Sequence, residues 1–248
     1  MSARRLHHIH NGMKTFGKKY KAAQTKFDAE KLYTLEEAVK LLTETSTTKF
    51  DATCEIHANL NADPKYADQI VRSTVAMPHG TGKSVRVVAF VGEDKVAAAL
   101  AAGAVKAGAA ELIDEVNQGF SDFDVAVATP DMMRDLAKVA KVLGPKGLMP
   151  NPKSGTVTPD IEKAITELKA GKIEFKTDKF GIVHSVFGKV SFGAEKLGEN
   201  LASLLKALNA AKPTGIKGVY IKSMTLTTTM GPAIRIDLSD VAKVSSSK

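Results

Sequence analysis

The sequence is poor in the residues that build several common kinds of site and core. Its 248 residues include one cysteine, Cys54, and no tryptophan. A single cysteine excludes an internal disulfide framework and a CxxC-type metal site. Because aromatic residues make up only 6% of the chain, the core must be built mainly from Ala, Val, Leu and Ile.

Long apolar runs are also missing. No stretch approaches the ~20 apolar residues that a membrane-spanning helix needs, and residues 1–12 lack the apolar stretch of about 7–15 residues that marks a secretory signal. We therefore expect no membrane partner. The composition, 44% hydrophobic and 25% charged, is typical of a globular protein, and the length allows one large or two small domains.

Acidic residues are missing from the first 26 positions. Residues 1–26 carry seven basic residues and show no apolar period, so they are interpreted as a basic N-terminal arm. Residues 80–156 are neutral, whereas residues 157–248 have five more basic than acidic residues. The net charge of +8 therefore comes from the two ends of the chain, and this distribution favours a polyanionic partner.

The order of the predicted elements indicates two domains. Strict alternation from Ala52 to Leu60 predicts a half-buried strand, too little to fold alone. Further along, buried strands at Val85–Val91 and Val125–Ala128 alternate with an Ala-rich helix at Lys95–Ala102 and a second helix at Met132–Leu143, as in a Rossmann-like unit. We predict an α/β protein of two domains: a discontinuous α+β domain from residues 1–79 and 157–248, and an inserted Rossmann-like α/β domain of residues 80–156.

Proline and glycine mark the two crossings between these predicted domains, near residues 77–80 and 155–158. Paired linkers of this kind are hinge candidates. The discontinuous domain built from the two ends of the chain is called the end domain here. Within it, a capping box at Thr34–Glu37 predicts the start of a helix. Later patterns predict a helix at Glu195–Ala210 and a strand at Val219–Thr228.

Motifs for nucleotide binding and catalysis are incomplete. His79–Ser84 ends in Gly-Lys-Ser, but a phosphate-binding loop would need glycine where the sequence has Met77. Alternation puts His57 on the strand face opposite Cys54, so the two cannot form a thiolate–imidazole pair within one strand. His184 is interpreted as another structural or surface histidine. We therefore predict that the chain is not an enzyme and needs no cofactor or metal.

The most unusual local run is Thr225–Pro232, which is rich in threonine and ends in Met-Gly-Pro. Threonine hydroxyls donate and accept hydrogen bonds, which suits phosphate oxygens and ribose 2′-hydroxyls. Gly231 lacks a side chain that would hold a polyanion's backbone away, and Met230 supplies a polarizable apolar surface. The alternative interpretation is an ordinary Thr-rich strand end, because β-branched residues favour strands.

Basic and aromatic residues lie together in two further segments. Lys49 and Phe50 precede the first strand, and residues 172–179 combine lysines with an aromatic ring and two acids. Strand alternation directs Lys172 and Glu174 to one face. These groups are candidate RNA contacts, although none is diagnostic singly.

Taken together, these features resemble a known family, the bacterial-type large-subunit ribosomal proteins of the mobile lateral stalk, conventionally numbered one. The resemblance extends from Phe16 to Asp237, and residues 1–12 lie outside its pattern. It is carried by the motifs Phe16–Tyr20, Lys49–Asp51, Met77–Gly80, Ala128–Asp131, Leu143–Lys153, Gly171–Phe175 and Thr228–Pro232.

The resemblance implies a place in the cytoplasmic ribosome rather than an organelle, and tight binding of the end domain to the stalk helices of 23S rRNA. It also implies neighbours in the large subunit, help for deacylated E-site tRNA to leave, and repression of the protein's own operon mRNA. With Lys49 added from its sequence context, the implied RNA contacts are Lys49, Phe50, Thr53, Lys172, Glu174, Phe175, Ser223, Thr229, Met230 and Gly231.

Two other functions stay open at this stage. A generic basic RNA- or DNA-binding protein, or an RNA chaperone, would share the basic ends but bind unrelated duplexes nearly as tightly as stalk rRNA. An enzyme with a nucleotide in the inserted domain would need a Gly-rich strand-to-helix loop and an acidic ribose ligand, and the sequence lacks both.

Overall fold

The computed structural model describes residues 16–216 and 218–246, so residues 1–15 of the predicted basic arm lie outside the described residues. The helices are α1 (Lys18–Gln24), α2 (Leu35–Thr45), α3 (Glu93–Ala101), α4 (Ala110–Asn117), α5 (Met133–Leu136), α6 (Ala140–Leu143), α7 (Ile161–Ala170), α8 (Gly193–Ala210) and α9 (Leu238–Ser246). The strands are β1 (Thr53–Leu60), β2 (Arg72–Ala76), β3 (Val87–Phe90), β4 (Lys106–Gly108), β5 (Val125–Ala128), β6 (Lys172–Lys176), β7 (Ile182–Lys189), β8 (Ile221–Thr228) and β9 (Ile234–Arg235).

One antiparallel sheet, named here the end sheet, joins the two ends of the chain. Its strand order is β7-β1-β8-β9, so β1 is paired on both sides with strands from the C-terminal half. The predicted alternation of β1 is confirmed, because every second residue from Cys54 to Leu60 is buried. These side chains form one apolar cluster with α2, α8 and the antiparallel pair of β2 and β6.

The start of α2 shows how local sequence sets an element of this cluster. Thr34 Oγ1 accepts a hydrogen bond from the Glu37 backbone N–H at 3.3 Å, and the Glu37 carboxylate accepts one from the Thr34 N–H at 3.4 Å. The predicted capping box is therefore confirmed. Beyond it, Leu35, Val39 and Leu42 lie at helical spacing on the buried side of α2.

A three-stranded parallel sheet of order β4-β3-β5, the central sheet, lies in the middle of the chain. All four residues of β3 are buried, as expected for a parallel sheet that is covered on both faces. One apolar cluster covers the face of Val88 and Phe90 with α4, α5 and α6, and another covers the face of Val87 and Ala89 with α3 and α7. The predicted α/β class, with an α+β part from both ends and an inserted parallel-sheet unit, is confirmed.

Helix α7 packs on the central sheet, although the sequence prediction assigns residues 157–248 to the end domain. Ile161, Ile165 and Leu168 are buried in the cluster that contains Val87. An apolar stripe shows that a helix is amphipathic, but it does not show which sheet the helix covers. The domain boundaries at 79/80 and 156/157 therefore stay a prediction, and the packing of α7 favours a second crossing nearer Gly171.

Several short elements differ from the predictions. The helix predicted at Met132–Leu143 is divided into α5, a 3-10 turn at Ala137–Val139, and α6. Helix α1 forms within the predicted arm, where Phe16 stacks on Tyr20 with 4.5 Å between ring centroids. Only Ala23 of α1 is buried, so this helix has no apolar period to reveal it. None of the helices in the described ranges has the length and hydropathy for a bilayer span.

The two crossings between the sheets touch each other. The Met77 N–H donates to the Gly171 carbonyl at 3.3 Å, and a side chain on Gly171 would collide with the backbone of Gly80. Asn200 of α8 is fully buried beside them. Its amide oxygen accepts from the His79 N–H at 3.1 Å, and its amide nitrogen donates to the Gly80 carbonyl at 2.9 Å. The crossings are thereby attached to the end sheet at one point.

Candidate nucleic-acid interface

The face of the end sheet that points away from its core carries polar side chains. In the strand register, Glu55 stands opposite Thr227 and His57 stands opposite Thr225. Thr229 comes six positions after Ser223, and a strand rises about 3.3 Å per residue, so the face is roughly 20 Å long. Hydroxyl, amide, imidazole and carboxylate groups can all bond to RNA phosphates and 2′-hydroxyls. This polar face consists of Thr53, Glu55, His57, Asn59, His184, Ser223, Thr225 and Thr227.

One end of the polar face is formed by a tight turn at Thr228–Pro232, the Met230 turn. The Gly231 N–H donates to the Thr228 carbonyl at 2.8 Å and closes the turn. Met230 has a φ of +67°, a left-handed conformation that costs energy for a residue with a side chain. Its side chain is nevertheless 76% exposed. A strained backbone that presents an apolar side chain to solvent is typical of a binding site.

Thr229 attaches this turn to β1. Its N–H donates to the Thr53 carbonyl at 3.0 Å, and its Oγ1 accepts from the Thr53 N–H at 3.1 Å. A Cβ on Gly231 would collide with Thr228 Oγ1, so a side chain there would displace the Thr228 side chain. Internal packing is therefore a second reason for glycine at this position, beside the close approach of a polyanion inferred from the sequence. Thr53, Thr229, Met230 and Gly231 are brought together at one end of the polar face.

The segment with Lys49 and Phe50 leads into β1 at the same end. Asp51 anchors it, because its carboxylate accepts hydrogen bonds from the Ser191 N–H at 3.0 Å and from Ser191 Oγ at 2.8 Å. The hydroxyl hydrogen bond from Ser191 lowers the pKa of Asp51. Lys49 is exposed and the Phe50 ring is 57% exposed. An exposed ring on an anchored segment can stack on an unpaired base.

A cleft of about 670 Å³ lies between the end sheet and the central sheet. Lys172 and Glu174 of β6 line it, as does Thr53. Lys172 Nζ donates to Glu167 at 2.8 Å, and this hydrogen bond lowers the pKa of Glu167. Glu174 is paired with Arg72. Because partly exposed ion pairs contribute only about 0–1 kcal/mol each, an RNA phosphate can replace the carboxylate partner of either cation at little cost.

Two predicted contacts lie apart from this group. Phe175 is 1% exposed and packs in the apolar cluster of the end sheet, so its side chain cannot reach RNA in this arrangement. Alternation is the physical reason, since a strand that presents Lys172 and Glu174 to the cleft must turn Phe175 inward. Ser223 is exposed on the polar face, but at the end opposite the Met230 turn.

Lys189 is a candidate contact that sequence patterns did not reveal. Opposite Cys54 and Glu55, β7 has one extra residue, a β-bulge at Phe187 and Gly188, so Lys189 stands opposite Thr53 and lines the cleft. Simple alternation from Phe187 would count Lys189 as inward-facing, because a bulge reverses the sides of the residues beyond it. The available signal was Gly188, since glycine within a strand often marks a bulge.

The Gly-Lys-Ser motif has a structural role. Lys83 Nζ donates to Asp124 at 2.7 Å, at the edge of the central sheet. That hydrogen bond lowers the pKa of Asp124 to about 2. Lys83 also lines the cleft. The lysine that suggested a phosphate-binding loop therefore binds a carboxylate of its own chain.

Cys54 offers no nucleophile at this site. Its side chain is fully buried, and burial raises the pKa of the thiol to about 12. It points into the core while His57 lies on the polar face, as the alternation predicted. Across residues 16–216 and 218–246, no three His, Cys, Asp or Glu side chains are grouped so that they could hold a metal ion.

Comparison with known proteins identifies the family. Residues 42–232 match the model of the ribosomal protein L1p/L10e family. A protein of Chloroflexus aggregans named large ribosomal subunit protein uL1 is 53% identical over 229 residues, which is 91% of this chain and 97% of that protein. Proteins of the same name from Macrococcus caseolyticus and Chloroflexus aurantiacus are also 53% identical, over 91% of this chain and 97% and 96% of their own lengths.

These matches extend over most of the chain and include every predicted contact from Lys49 to Gly231. They confirm the resemblance seen in the sequence motifs. Since the family and the named relatives are ribosomal proteins, they also confirm the prediction that the chain is not an enzyme. The chain belongs to the ribosomal protein L1p/L10e family.

Proposed function

We propose that this protein is a structural constituent of the large ribosomal subunit in the cytoplasm, where it binds the stalk helices of 23S rRNA. The names of its relatives support the place in the large subunit. The Met230 turn is the single observation that carries the RNA contact. An exposed side chain on a left-handed backbone, attached to β1 and flanked by Phe50, presents a rigid and partly apolar contact beside the polar face.

The physical steps of binding follow from the distribution of charge and polarity. Phosphate attraction to the basic ends gives fast encounter and an affinity that falls with salt. The polar face then forms hydrogen bonds with RNA phosphates and 2′-hydroxyls, which recognise a folded RNA shape. Phe50 and Met230 contribute apolar contact, and lysines of the cleft exchange carboxylates for phosphates.

A pair of substitutions tests this contact. Met230→Asp places an anion at the centre of the proposed interface, so we expect the affinity for a stalk 23S rRNA fragment to fall at least about 30-fold, a loss of about 2 kcal/mol or more. Lys222→Ala removes one exposed charge at the other end of the polar face and should cost less than about threefold. Filter-binding titrations at fixed salt measure both.

Leu100→Asp is the matched control for Met230→Asp. Leu100 is an exposed apolar residue on α3, far along the chain from the turn, so an acid there should leave rRNA affinity unchanged. Equal small losses for Met230→Asp and Leu100→Asp would contradict the proposed site. Tight binding of the wild-type protein to unrelated duplexes would instead favour a generic RNA- or DNA-binding protein or an RNA chaperone.

We also propose that the central part of the chain contacts E-site tRNA. Residues 80–156 have no net charge, yet Arg134 of α5, Lys138 of the following 3-10 turn and Lys141 of α6 are all exposed. Leu136 and Leu143 pack inward from the same segment. Basic side chains exposed along one short segment can contact a phosphate backbone.

An Arg134→Glu, Lys141→Glu double variant tests the tRNA contact. We expect its affinity for deacylated tRNA to fall about tenfold or more, because two phosphate contacts become repulsive, while its affinity for the stalk rRNA fragment stays within about twofold. A double variant at Glu111 and Asp114 of α4, each changed to Gln, is the control. An unchanged tRNA affinity in the first variant would contradict this contact.

The protein's own operon mRNA is proposed as a second ligand of the rRNA-binding surface. The support is chemical, because any RNA that reproduces the shape of the stalk site would meet the same polar face and Met230 turn. Competition between the operon leader and the stalk rRNA fragment measures this directly. We expect the two RNAs to exclude each other, and Met230→Asp should lower the affinity for both by a similar factor.

A further inference from the structure

Two histidines lie side by side in the middle of the polar face. His57 of β1 and His184 of β7 are direct partners in the strand register. Their Nδ1 atoms are 2.8 Å apart, and their rings meet at 62° with 5.0 Å between centroids. A separation of 2.8 Å between two ring nitrogens is a hydrogen bond, so one Nδ1 must carry hydrogen while the other accepts.

This bond limits the charge that the pair can hold. In the neutral pair, the ring that donates through Nδ1 has a free lone pair on its Nε2. One proton from solvent can bind there and create an imidazolium without breaking the bond between the Nδ1 atoms. A second proton would set two N–H groups against each other at 2.8 Å. The pair therefore accepts one proton readily and resists another.

The surroundings of the pair are acidic at its edges. Glu55 Oε2 lies 3.9 Å from His57 Nε2, and Asp178 Oδ2 lies 3.4 Å from His184 Nε2. On the other side of β1, the neighbour of His57 is the uncharged Thr225, and the exposed Arg235 of β9 stands beyond Thr225 in the same row of the register. Within the described ranges, no lysine or arginine forms an ion pair with either carboxylate. A cation on the pair would thus be stabilised from both sides.

In the free protein the surroundings of His57 favour its neutral form. Burial lowers the pKa of His57, and the adjacent His184 lowers it further, while Glu55 acts in the opposite direction. Both rings still reach solvent, since the side chains of His57 and His184 are 30% and 51% exposed.

We infer that the His57–His184 pair is an additional RNA contact, which takes up one proton from solvent when a phosphate of the bound RNA lies over it. This inference rests on the proposed rRNA binding. The pair lies between the Met230 turn and Ser223, which are the two ends of the polar face, so an RNA that contacts both ends passes over it. A phosphate supplies the negative charge that favours the imidazolium.

Proton uptake gives RNA binding a defined pH dependence. Because the complex would hold one more proton than the separate partners, affinity must rise as the pH falls. The limit for one proton is tenfold in affinity for each pH unit. We expect rRNA affinity to increase by about three- to tenfold between pH 8 and pH 6 at constant ionic strength.

The experiment compares the full-length protein with a His57→Gln, His184→Gln double variant and with each single variant. Filter-binding titrations with the stalk 23S rRNA fragment are made from pH 6 to pH 8. Glutamine keeps hydrogen-bonding capacity but cannot be protonated, so the pH dependence should disappear in the double variant. His79→Gln is the matched control, since His79 is exposed but bonds to Glu199, away from the polar face.

Calorimetry in two buffers of different ionisation enthalpy provides an independent count of protons. We expect uptake of about 0.3–1 proton per complex at pH 7 for the wild type, and close to none for the double variant. The same pH profile in both proteins, or no uptake in the wild type, would overturn the inference while leaving rRNA binding intact. Absence of selective rRNA affinity at every pH would instead overturn the proposed function itself.

Discussion

The end sheet and the central sheet use the same kinds of residue in opposite ways. β3 of the central sheet is buried on both faces, under α4 to α6 on one side and α3 and α7 on the other. β1 of the end sheet is buried on alternate residues only, and its second face carries a hydroxyl, a carboxylate, an imidazole and an amide. Polar groups that already form hydrogen bonds with water can exchange these for hydrogen bonds with RNA at a modest cost in free energy.

Backbone strain also differs between the two sheets. The one described residue other than glycine with a positive φ is Met230, at the end of the end sheet. Where the central sheet carries charge at its edge, the charge is satisfied internally, as in the pair of Lys83 with Asp124. Under the proposed function, the polar face of the end sheet serves rRNA recognition, whereas the central sheet supports the helices that cover it. Each of the following substitutions tests that division.

Phe90→Ala should have the largest effect on stability. Phe90 is fully buried in β3, so its truncation should lower the free energy of unfolding by about 3–5 kcal/mol. Under conditions where the variant stays folded, its rRNA affinity should change less than about twofold. Urea unfolding and filter binding on the same preparation measure the two quantities.

Thr225→Ala is the counterpart on the polar face. Thr225 is half-buried and faces His57, so its loss should change the free energy of unfolding by less than about 0.5 kcal/mol, while rRNA affinity falls several-fold. If Phe90→Ala and Thr225→Ala reduced stability and affinity in the same proportion, the two sheets would not differ in role.

Local patterns predicted much of the fold because their causes are local. The alternation of β1, the capping box of α2 and the bounds of β5 follow from side-chain period and hydrogen bonding within a few residues. The sheet on which α7 packs depends on long-range contacts, which no local period contains. The candidate site divides in the same way.

Among the site residues, the run around Met230 was singled out because its composition is unusual, and its RNA contact stays a prediction. The buried position of Phe175 follows from the alternation that turns its ring inward, which the motif does not show. Lys189 was missed because a bulge in its own strand, next to Gly188, decides its side. The pairing of His57 with His184 depends on the register between β1 and β7. Local sequence patterns do not reveal it, because the two residues lie 127 positions apart in the chain.

Gly231→Ala should have an intermediate effect that sharpens the comparison. The added methyl group would collide with Thr228 Oγ1, so the Met230 turn must shift. We expect a loss of about 1–2 kcal/mol in the free energy of unfolding and about a tenfold or greater loss of rRNA affinity.

Gly198→Ala on α8 is the matched control for that change. A Cβ at Gly198 meets nothing within 4 Å, and alanine is the better helix former, so stability should rise by about 0.5–1 kcal/mol with unchanged rRNA affinity. Equal effects of the two glycine substitutions on affinity would show that the geometry of the Met230 turn is unimportant for binding.

A small effect that depends on pH is expected for the ion pair at the edge of the central sheet. The pKa of Asp124 is lowered from 3.8 to about 2, chiefly by the hydrogen bond from Lys83. A carboxyl group whose pKa is lower in the folded state stabilises the fold above its unfolded pKa, and this contribution disappears as the pH falls through the folded pKa. The stabilisation is therefore present above pH 4 and is lost between pH 4 and pH 2.

Lys83→Met removes this hydrogen bond and should lower the free energy of unfolding by about 1 kcal/mol or less at pH 7, because Lys83 is largely exposed and solvent screens the pair. The difference from wild type should shrink towards zero at pH 2. Lys222→Met on the end sheet provides the control, since no ion pair of Lys222 occurs in the described part of the chain. Urea unfolding at pH 7, 4 and 2.5 measures both differences, and a pH-independent difference for Lys83→Met would mean that Asp124 does not depend on Lys83.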